Sequence, residues 1–266
     1  MQPTDVPVQY QRYRVSSGWE THDARVIAEK TISLTVNGAV WLRFTCTPSE
    51  LEALAVGFLY NEGVIQKREE VVTVDICEQG TNVDVWLAHA VERPDTWQRT
   101  SGCTGGLTTL SEALPPPTRQ AGPPISPSAI LSGMEQLLQS QELYRETGGV
   151  HCSAISDGES VRLRAEDIGR HNTLDKLAGR LLLDGADFRN AILLTTGRVS
   201  SEMLQKSYRL GAEAVVSRTS PTSQSVALAE ALGVTLIGYA RRNGFLVYAH
   251  PERLEKQDAP LSTFQP

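Results

Sequence analysis

Between residues 161 and 239 the chain alternates three times between a short apolar run and an amphipathic one. Val161 to Ala165 precedes a helical pattern over Leu174 to Leu183. Ala191 to Thr196 precedes Ser201 to Leu210, which Gly211 stops. Ala214 to Ser217 precedes Pro221 to Leu232, which Gly233 stops. Val234 to Tyr239 and Phe245 to Tyr248 read as final strands, joined through Arg241-Arg242-Asn243-Gly244. This rhythm predicts an α/β layer built on a largely parallel sheet.

In such a sheet the strand-to-helix turns lie along the carboxyl edge, where helix N-termini point unpaired N–H groups into one crevice. The three turns here are polar: Glu166-Asp167-Ile168-Gly169-Arg170-His171-Asn172, Thr195-Thr196-Gly197-Arg198-Val199-Ser200-Ser201-Glu202, and Ser217-Arg218-Thr219-Ser220-Pro221-Thr222. Each contains an arginine, whose planar fork suits phosphate. Asn172, Ser200 and Ser220 taken singly read as helix caps. Arginine beside a helix N-terminus is electrostatically unfavourable, so three of them point to a bound anion with several phosphates, such as a nucleotide. Pairing with Asp167 or Glu202 is the competing explanation. Asp175 and Lys206 either face the same crevice or form a solvated ion pair.

The N-terminal part reads differently. Ile32, Leu34, Val36, Val40, Leu42 and Phe44 alternate around Asn37-Gly38, a hairpin signal. Thr47-Pro48-Ser49-Glu50 is expected to cap a helix over Leu51 to Leu59, with Gly63 as its stop. Two strands follow, near Val71 to Ile76 and Val83 to Ala88. Residues 115–127 hold six prolines and read as an extended linker. The chain therefore divides into a β-rich part (1–114), the linker (115–127) and an α/β part (128–266) that opens with one helix from Ser126-Pro127 to about Thr147.

A net charge of −6 argues against a dedicated nucleic-acid binder. No apolar run is long enough to span a bilayer and no secretory pattern opens the chain, so a cytoplasmic protein with reduced thiols is expected. Cys46, Cys77, Cys103 and Cys152 lack metal-ligand spacing, and no metal site is expected. Cys46 and Cys77 read as packed strand residues, and Cys152, after His151, leans the same way. Cys103 lies in Thr100-Ser101-Gly102-Cys103-Thr104-Gly105-Gly106, without an apolar neighbour before Leu107. A core cysteine keeps apolar company, so Cys103 is the candidate for covalent sulfur chemistry.

Four segments, Gly148-Gly149-Val150-His151, Asp167 to Lys176, Thr196 to Met203 and Ser220-Pro221-Thr222, resemble the formate dehydrogenase accessory sulfurtransferases, the FdhD family. The resemblance runs in order over residues 30–255. It implies an α+β protein whose larger domain is a cytidine-deaminase-like α/β sandwich without zinc. It implies a sulfurtransferase that accepts sulfane sulfur from a cysteine desulfurase and carries it as a persulfide on Cys103. The acceptor is the molybdenum or tungsten bis(molybdopterin guanine dinucleotide) cofactor destined for formate dehydrogenase. It implies a homodimer, and a guanine-dinucleotide site that includes Phe245, Leu246, Val247, Tyr248, Ala249 and His250 beside Arg170, His171, Asn172, Gly197, Arg198, Ser200, Arg218, Ser220 and Thr222. Many members carry a Cys-x-x-Cys pair; here Gly106 stands three residues after Cys103, leaving one sulfur. His171 and Glu202 are expected to orient the pterin or move protons. Two other functions compete: a cofactor chaperone without sulfur chemistry, and a nucleotide hydrolase using His171 and Asp167.

Overall fold

The structure is a computed structural model that describes residues 3–77, 79–94, 98–99, 107–108, 122–186 and 191–256. In chain order the strands are β1 (Asp5–Arg14), β2 (Gly18–Ile27), β3 (Lys30–Val36), β4 (Ala39–Cys46), β5 (Val71–Ile76), β6 (Asn82–Leu87), β7 (Gln98–Arg99), β8 (Leu107–Thr108), β9 (His151–Ser156), β10 (Val161–Asp167), β11 (Ala191–Thr195), β12 (Ala212–Ser217), β13 (Thr235–Arg241) and β14 (Gly244–Ala249). The helices are α1 (Leu51–Asn61), α2 (Pro127–Ser140), α3 (Glu142–Thr147), α4 (Arg170–Asp184), α5 (Ser201–Arg209) and α6 (Ser223–Leu232).

A six-stranded sheet runs in the order β10-β9-β11-β12-β13-β14. Its middle strands β11 and β12 are buried along their whole length, as strands covered on both faces must be. One face packs on α4, α5 and α6 through Leu174, Leu177, Met203, Leu204 and Ala229. The other packs on α2 through Ile130, Met134 and Leu137. The sheet is mixed rather than largely parallel. β11, β12 and β13 are parallel, whereas β9 and β14 run antiparallel to their neighbours. The reason is local: β9–β10 and β13–β14 are joined by short turns, and a short turn can only reverse direction.

The N-terminal sheet has the order β4-β3-β6-β5 and buries Ile32, Leu34, Phe44 and Val85 against Leu54, Phe58 and Leu59 of α1. Helix α1 in turn lies against α4. A Cβ on Gly57 would fall 1.7 Å from the Asp175 carbonyl oxygen, and one on Gly179 would fall 1.9 Å from that of Ala53. Glycine at both positions lets the two backbones touch. Thr47 does not cap α1. Glu50 occupies the cap position at φ 51 without a side-chain bond, because Thr47 is bonded elsewhere: its N–H donates to Asp167 and its hydroxyl accepts from the Ile168 N–H.

The single helix expected over 126–147 is broken at Gln141, whose backbone is extended. The buried carboxylate of Glu166 accepts the N–H groups of Glu142, Leu143 and Tyr144 and so starts α3 afresh. Of the proline-rich stretch, residues 115–121 lie outside the described residues. Ile125 pairs with Leu254.

Candidate functional site

Strands β10 to β13 point the same way except β9, so the carboxyl ends of β10, β11, β12 and β13 and the start of β9 share one edge. A cleft of about 470 Å³ opens there, lined by His151, Ile168, Thr196, Arg218 and Thr219 among others. The turns after β11 and β12 are stitched together. Val199 N–H donates to the Ser220 carbonyl at 3.2 Å, and Thr222 N–H donates to the Val199 carbonyl at 3.0 Å. Arg218 N–H donates to the Thr195 carbonyl at 3.0 Å. A Cβ on Gly197 would stand 3.0 Å from Arg170 Cβ and 3.6 Å from His151 Nδ1. Glycine there lets the second turn settle against the first.

The predicted residues divide by what their side chains do. Arg198 and Arg218 are exposed at the edge. Arg170 opens α4 and is buried. Ser200 caps α5, its hydroxyl accepting the Met203 N–H at 3.3 Å. Thr222, not Ser220, caps α6, in a reciprocal pair with Ser225. Asn172 lies within the first turn of α4, which is preceded by Gly169 as cap. Its amide nitrogen donates to the Thr45 carbonyl at 3.0 Å and to Asp167 at 2.8 Å. Both donors are therefore spent on the junction with the N-terminal part.

Asp167 is fully buried and accepts from Lys176 at 2.7 Å, Thr47 N–H at 3.1 Å, Gly169 N–H at 2.8 Å and Asn172. It is a structural anchor. Asp175 and Lys206 form a buried ion pair at 2.7 Å rather than a solvated one, with Asn61 donating to Asp175 at 2.7 Å.

His171 Nε2 lies 3.2 Å from Glu202 Oε2 and 3.5 Å from the Ser200 hydroxyl. Serine and carboxylate meet the same ring nitrogen, so the imidazole cannot pass a proton from one to the other through its two nitrogens, as a hydrolase triad requires. Burial, with the charges of Lys206, Arg170 and His151, pushes His171 down to about 2. Burial pushes Glu202 up to about 7. The contact is thus a hydrogen bond to a neutral imidazole and not an ion pair.

Strand β14 carries the expected C-terminal segment, but its direction splits it. Leu246 faces Gly238 near the carboxyl edge, Val247 faces Ile237, and Ala249 faces Leu236 at the far end of β13. His250 is held there by Glu252 at 2.8 Å and the Glu230 carbonyl at 3.2 Å. The structure brings Phe245 and Leu246 toward the crevice, and carries Ala249 and His250 away from it.

One residue that lines the crevice and one bonded to its wall escaped the sequence reading. His151 lines the cleft, and burial together with Arg170 and Arg198 lowers its proton affinity. Its signal was present in Gly148-Gly149-Val150-His151, but β9 was not foreseen. Tyr239 ends the regular part of β13 at φ 52, with its N–H donated to the Thr219 carbonyl at 2.9 Å and its ring exposed. No sequence pattern marks a tyrosine for that backbone.

Cys103 lies outside the described residues. Strands β7 and β8 flank it, with Gln98 paired to Thr108 and Arg99 to Leu107. Cys46 and Cys152 are buried, and burial raises both thiols to about 12. Cys77 departs from its expected packing. It follows the last residue of β5, is exposed, and accepts N–H bonds from Thr81 and Asn82 at 3.3 Å; with the Thr81 hydroxyl foremost, these lower its pKa. Among the described residues, no group of three or more His, Cys, Asp or Glu could hold a metal ion, and no helix is long and apolar enough to cross a membrane.

The FdhD/NarQ family profile matches residues 27–255. The chain belongs to the FdhD/NarQ family. Within it, the chain is 36% identical over 238 residues to the sulfur carrier protein FdhD of Bacillus subtilis (strain 168), covering 87% of this chain and 91% of that one. It is 34% identical over 249 residues to the protein of that name from Staphylococcus aureus (strain Newman), covering 91% and 94%. A solved structure of a formate dehydrogenase accessory protein from Desulfotalea psychrophila superposes with a TM-score of 0.80 at 30% identity, over 95% of this chain and all of that one. The FdhD fold is therefore the α+β arrangement described above.

Proposed function

We propose that this protein is a sulfur carrier for formate dehydrogenase maturation, working through a persulfide on Cys103. In the loading step the Cys103 thiolate attacks the terminal sulfur of a persulfide on a cysteine desulfurase. A sulfur–sulfur bond forms to Cys103, the donor's own sulfur–sulfur bond breaks, and the donor cysteine leaves as thiolate. The acceptor is the molybdenum (or tungsten) bis(molybdopterin guanine dinucleotide) cofactor, bound as cargo before its transfer to formate dehydrogenase. Delivery by one cysteine leaves no neighbouring thiol in the Cys-x-x-Cys position to intercept the sulfur.

The observation that carries this reading is the crevice inside a chain of the FdhD/NarQ family. Arg198 and Arg218, both exposed at the edge, supply cationic donors suited to diphosphate, and the stitched turns hold the two of them on one rim. Tyr239 offers a flat face for a guanine or pterin ring at the same rim. A non-glycine residue at positive φ costs about 1 kcal/mol or more, so the tyrosine is kept against a backbone preference for glycine. The protein acts as a homodimer in this proposal. The test is to load the purified chain with sulfur from a desulfurase and measure its mass with and without Cys103→Ala. Equal sulfur adducts on both forms would overturn the carrier assignment.

A further inference from the structure

His171 in the first turn of α4 and Glu202 in the first turn of α5 are both buried, with Nε2 and Oε2 3.2 Å apart. Each retains a polar atom with no hydrogen-bond partner among the described residues: Nδ1 of His171 and Oε1 of Glu202. A buried pair normally satisfies such atoms, and one that does not merits a reason. With the imidazole neutral and its Nε2–H donated to Glu202, both orphan atoms are bare acceptors. The pair then has net charge −1 and two open places for one proton.

We infer that the His171–Glu202 pair is a proton-binding site that fills when the crevice takes up its anion. The inference rests on the crevice reading above. The proton comes from solvent, and it takes the pair from −1 to neutral whether it settles on the carboxylate or on Nδ1.

The charges facing the pair say why filling should follow anion binding. From α5 comes Lys206, from α4 Arg170 and Asp175, from the C-cap of α1 Glu62, and from β9 His151. Lys206 is already held by Asp175 at 2.7 and 2.8 Å. Asp175 and Glu62 favour the protonated carboxyl, and Lys206 and Arg170 oppose it. Of the opposing cations, Arg170 is the one whose charge is also felt at the crevice: its stem packs against Gly197, and its charge acts on His151 at the cleft wall. A phosphate beside Arg170 and Arg198 offsets that charge. Removing a nearby positive field raises the proton affinity of every group it had depressed. Glu202 already stands near 7, so a rise is read out as uptake at neutral pH.

The experiment is calorimetric titration of GDP into the full chain, in two buffers of different ionisation enthalpy, from pH 5 to 9. The expected result is uptake of about half a proton per GDP for a shift of about one pKa unit. Uptake should peak slightly above pH 7 and fade toward both ends. Glu202→Gln should keep GDP binding and lose most of the uptake. GDP binding without proton uptake in the unaltered protein would overturn the inference and leave the crevice reading standing. Undiminished uptake in Glu202→Gln would overturn it too. So would wild-type uptake that rises steadily toward pH 5, the mark of a group of lower proton affinity such as His151, and that result needs no variant. Absence of any GDP binding would instead remove the crevice reading itself, and the inference with it.

Discussion

Thr47 and Asp167 clasp the two parts of the chain: the Thr47 N–H donates to the Asp167 carboxylate at 3.1 Å, and the neighbouring Ile168 N–H donates back to the Thr47 hydroxyl at 3.2 Å. The clasp is completed by Lys176, fully buried, which holds Asp167 at 2.7 Å and donates to the Thr47 carbonyl at 3.3 Å. Asp167→Ala leaves a buried ammonium without its counter-charge. Breaking a buried pair in this way costs about 3–5 kcal/mol. Urea unfolding should show that loss, and a loss below about 1 kcal/mol would contradict the clasp.

The contact between α1 and α4 makes a second prediction. Gly57→Ala gains up to about 1 kcal/mol of helix propensity, but its methyl would lie 1.7 Å from the Asp175 carbonyl oxygen. No side-chain rotation relieves a clash with backbone, so the helices must separate. The variant should be destabilised by several kcal/mol, about the scale of overpacking or more. Gly179→Ala should behave alike, since its methyl meets the Ala53 carbonyl at 1.9 Å. Stability equal to wild type in either would refute the close approach.

Tyr239 separates stability from binding. Glycine relieves the positive φ of 52, so Tyr239→Gly should leave the unfolding free energy unchanged or raise it by about 1 kcal/mol. The same variant should weaken GDP binding about tenfold, and Tyr239→Phe should restore it. GDP affinity unchanged in Tyr239→Gly would exclude the ring from the site.

His171 and Glu202 should tilt the pH dependence of stability in opposite directions. His171 is lowered to about 2 from 6.5, so the unfolded chain binds its proton more readily and stability falls as pH drops below about 6.5. Glu202 is raised to about 7 from 4.5, so the folded chain binds its proton more readily and stability falls as pH rises from 4.5 toward 7. Each slope is at most about 1.4 kcal/mol per pH unit. Denaturant titrations should therefore show stability rising with pH in Glu202→Gln and falling with pH in His171→Gln across 4.5 to 6.5. Identical pH profiles in the two variants would contradict both assignments.

Periodicity exposed much of this architecture and little of its connectivity. The helices and strands from β10 to β14 follow the apolar runs because each buries a regular face. Strand β9 was missed because Cys152-Ser153-Ala154-Ile155-Ser156 is short and mixes polar with apolar residues, all of them buried; Ser153 is satisfied by partners distant in sequence, Thr173 and Thr195. The hairpin β1–β2 was missed because both faces are largely exposed, so no alternation is imposed on it. The break between α2 and α3 depends on Glu166, a carboxylate more than twenty residues away. At the crevice, arginines and turns were legible as residue types, whereas the commitment of Asn172 and Asp167 to the junction with Thr45 and Thr47 is a tertiary fact. The run from Phe245 to His250 is contiguous in sequence, but an extended strand carries its two ends about 17 Å apart.

The most direct test of the account is sulfur loading read by intact mass. The chain, a cysteine desulfurase and cysteine are incubated together, and the unaltered protein is compared with Cys103→Ala and Cys77→Ser, the latter because Cys77 is exposed with a lowered pKa. The account predicts one added sulfur, sensitive to thiol reductant, on the unaltered protein and on Cys77→Ser, and none on Cys103→Ala. The same adduct on Cys103→Ala would contradict it.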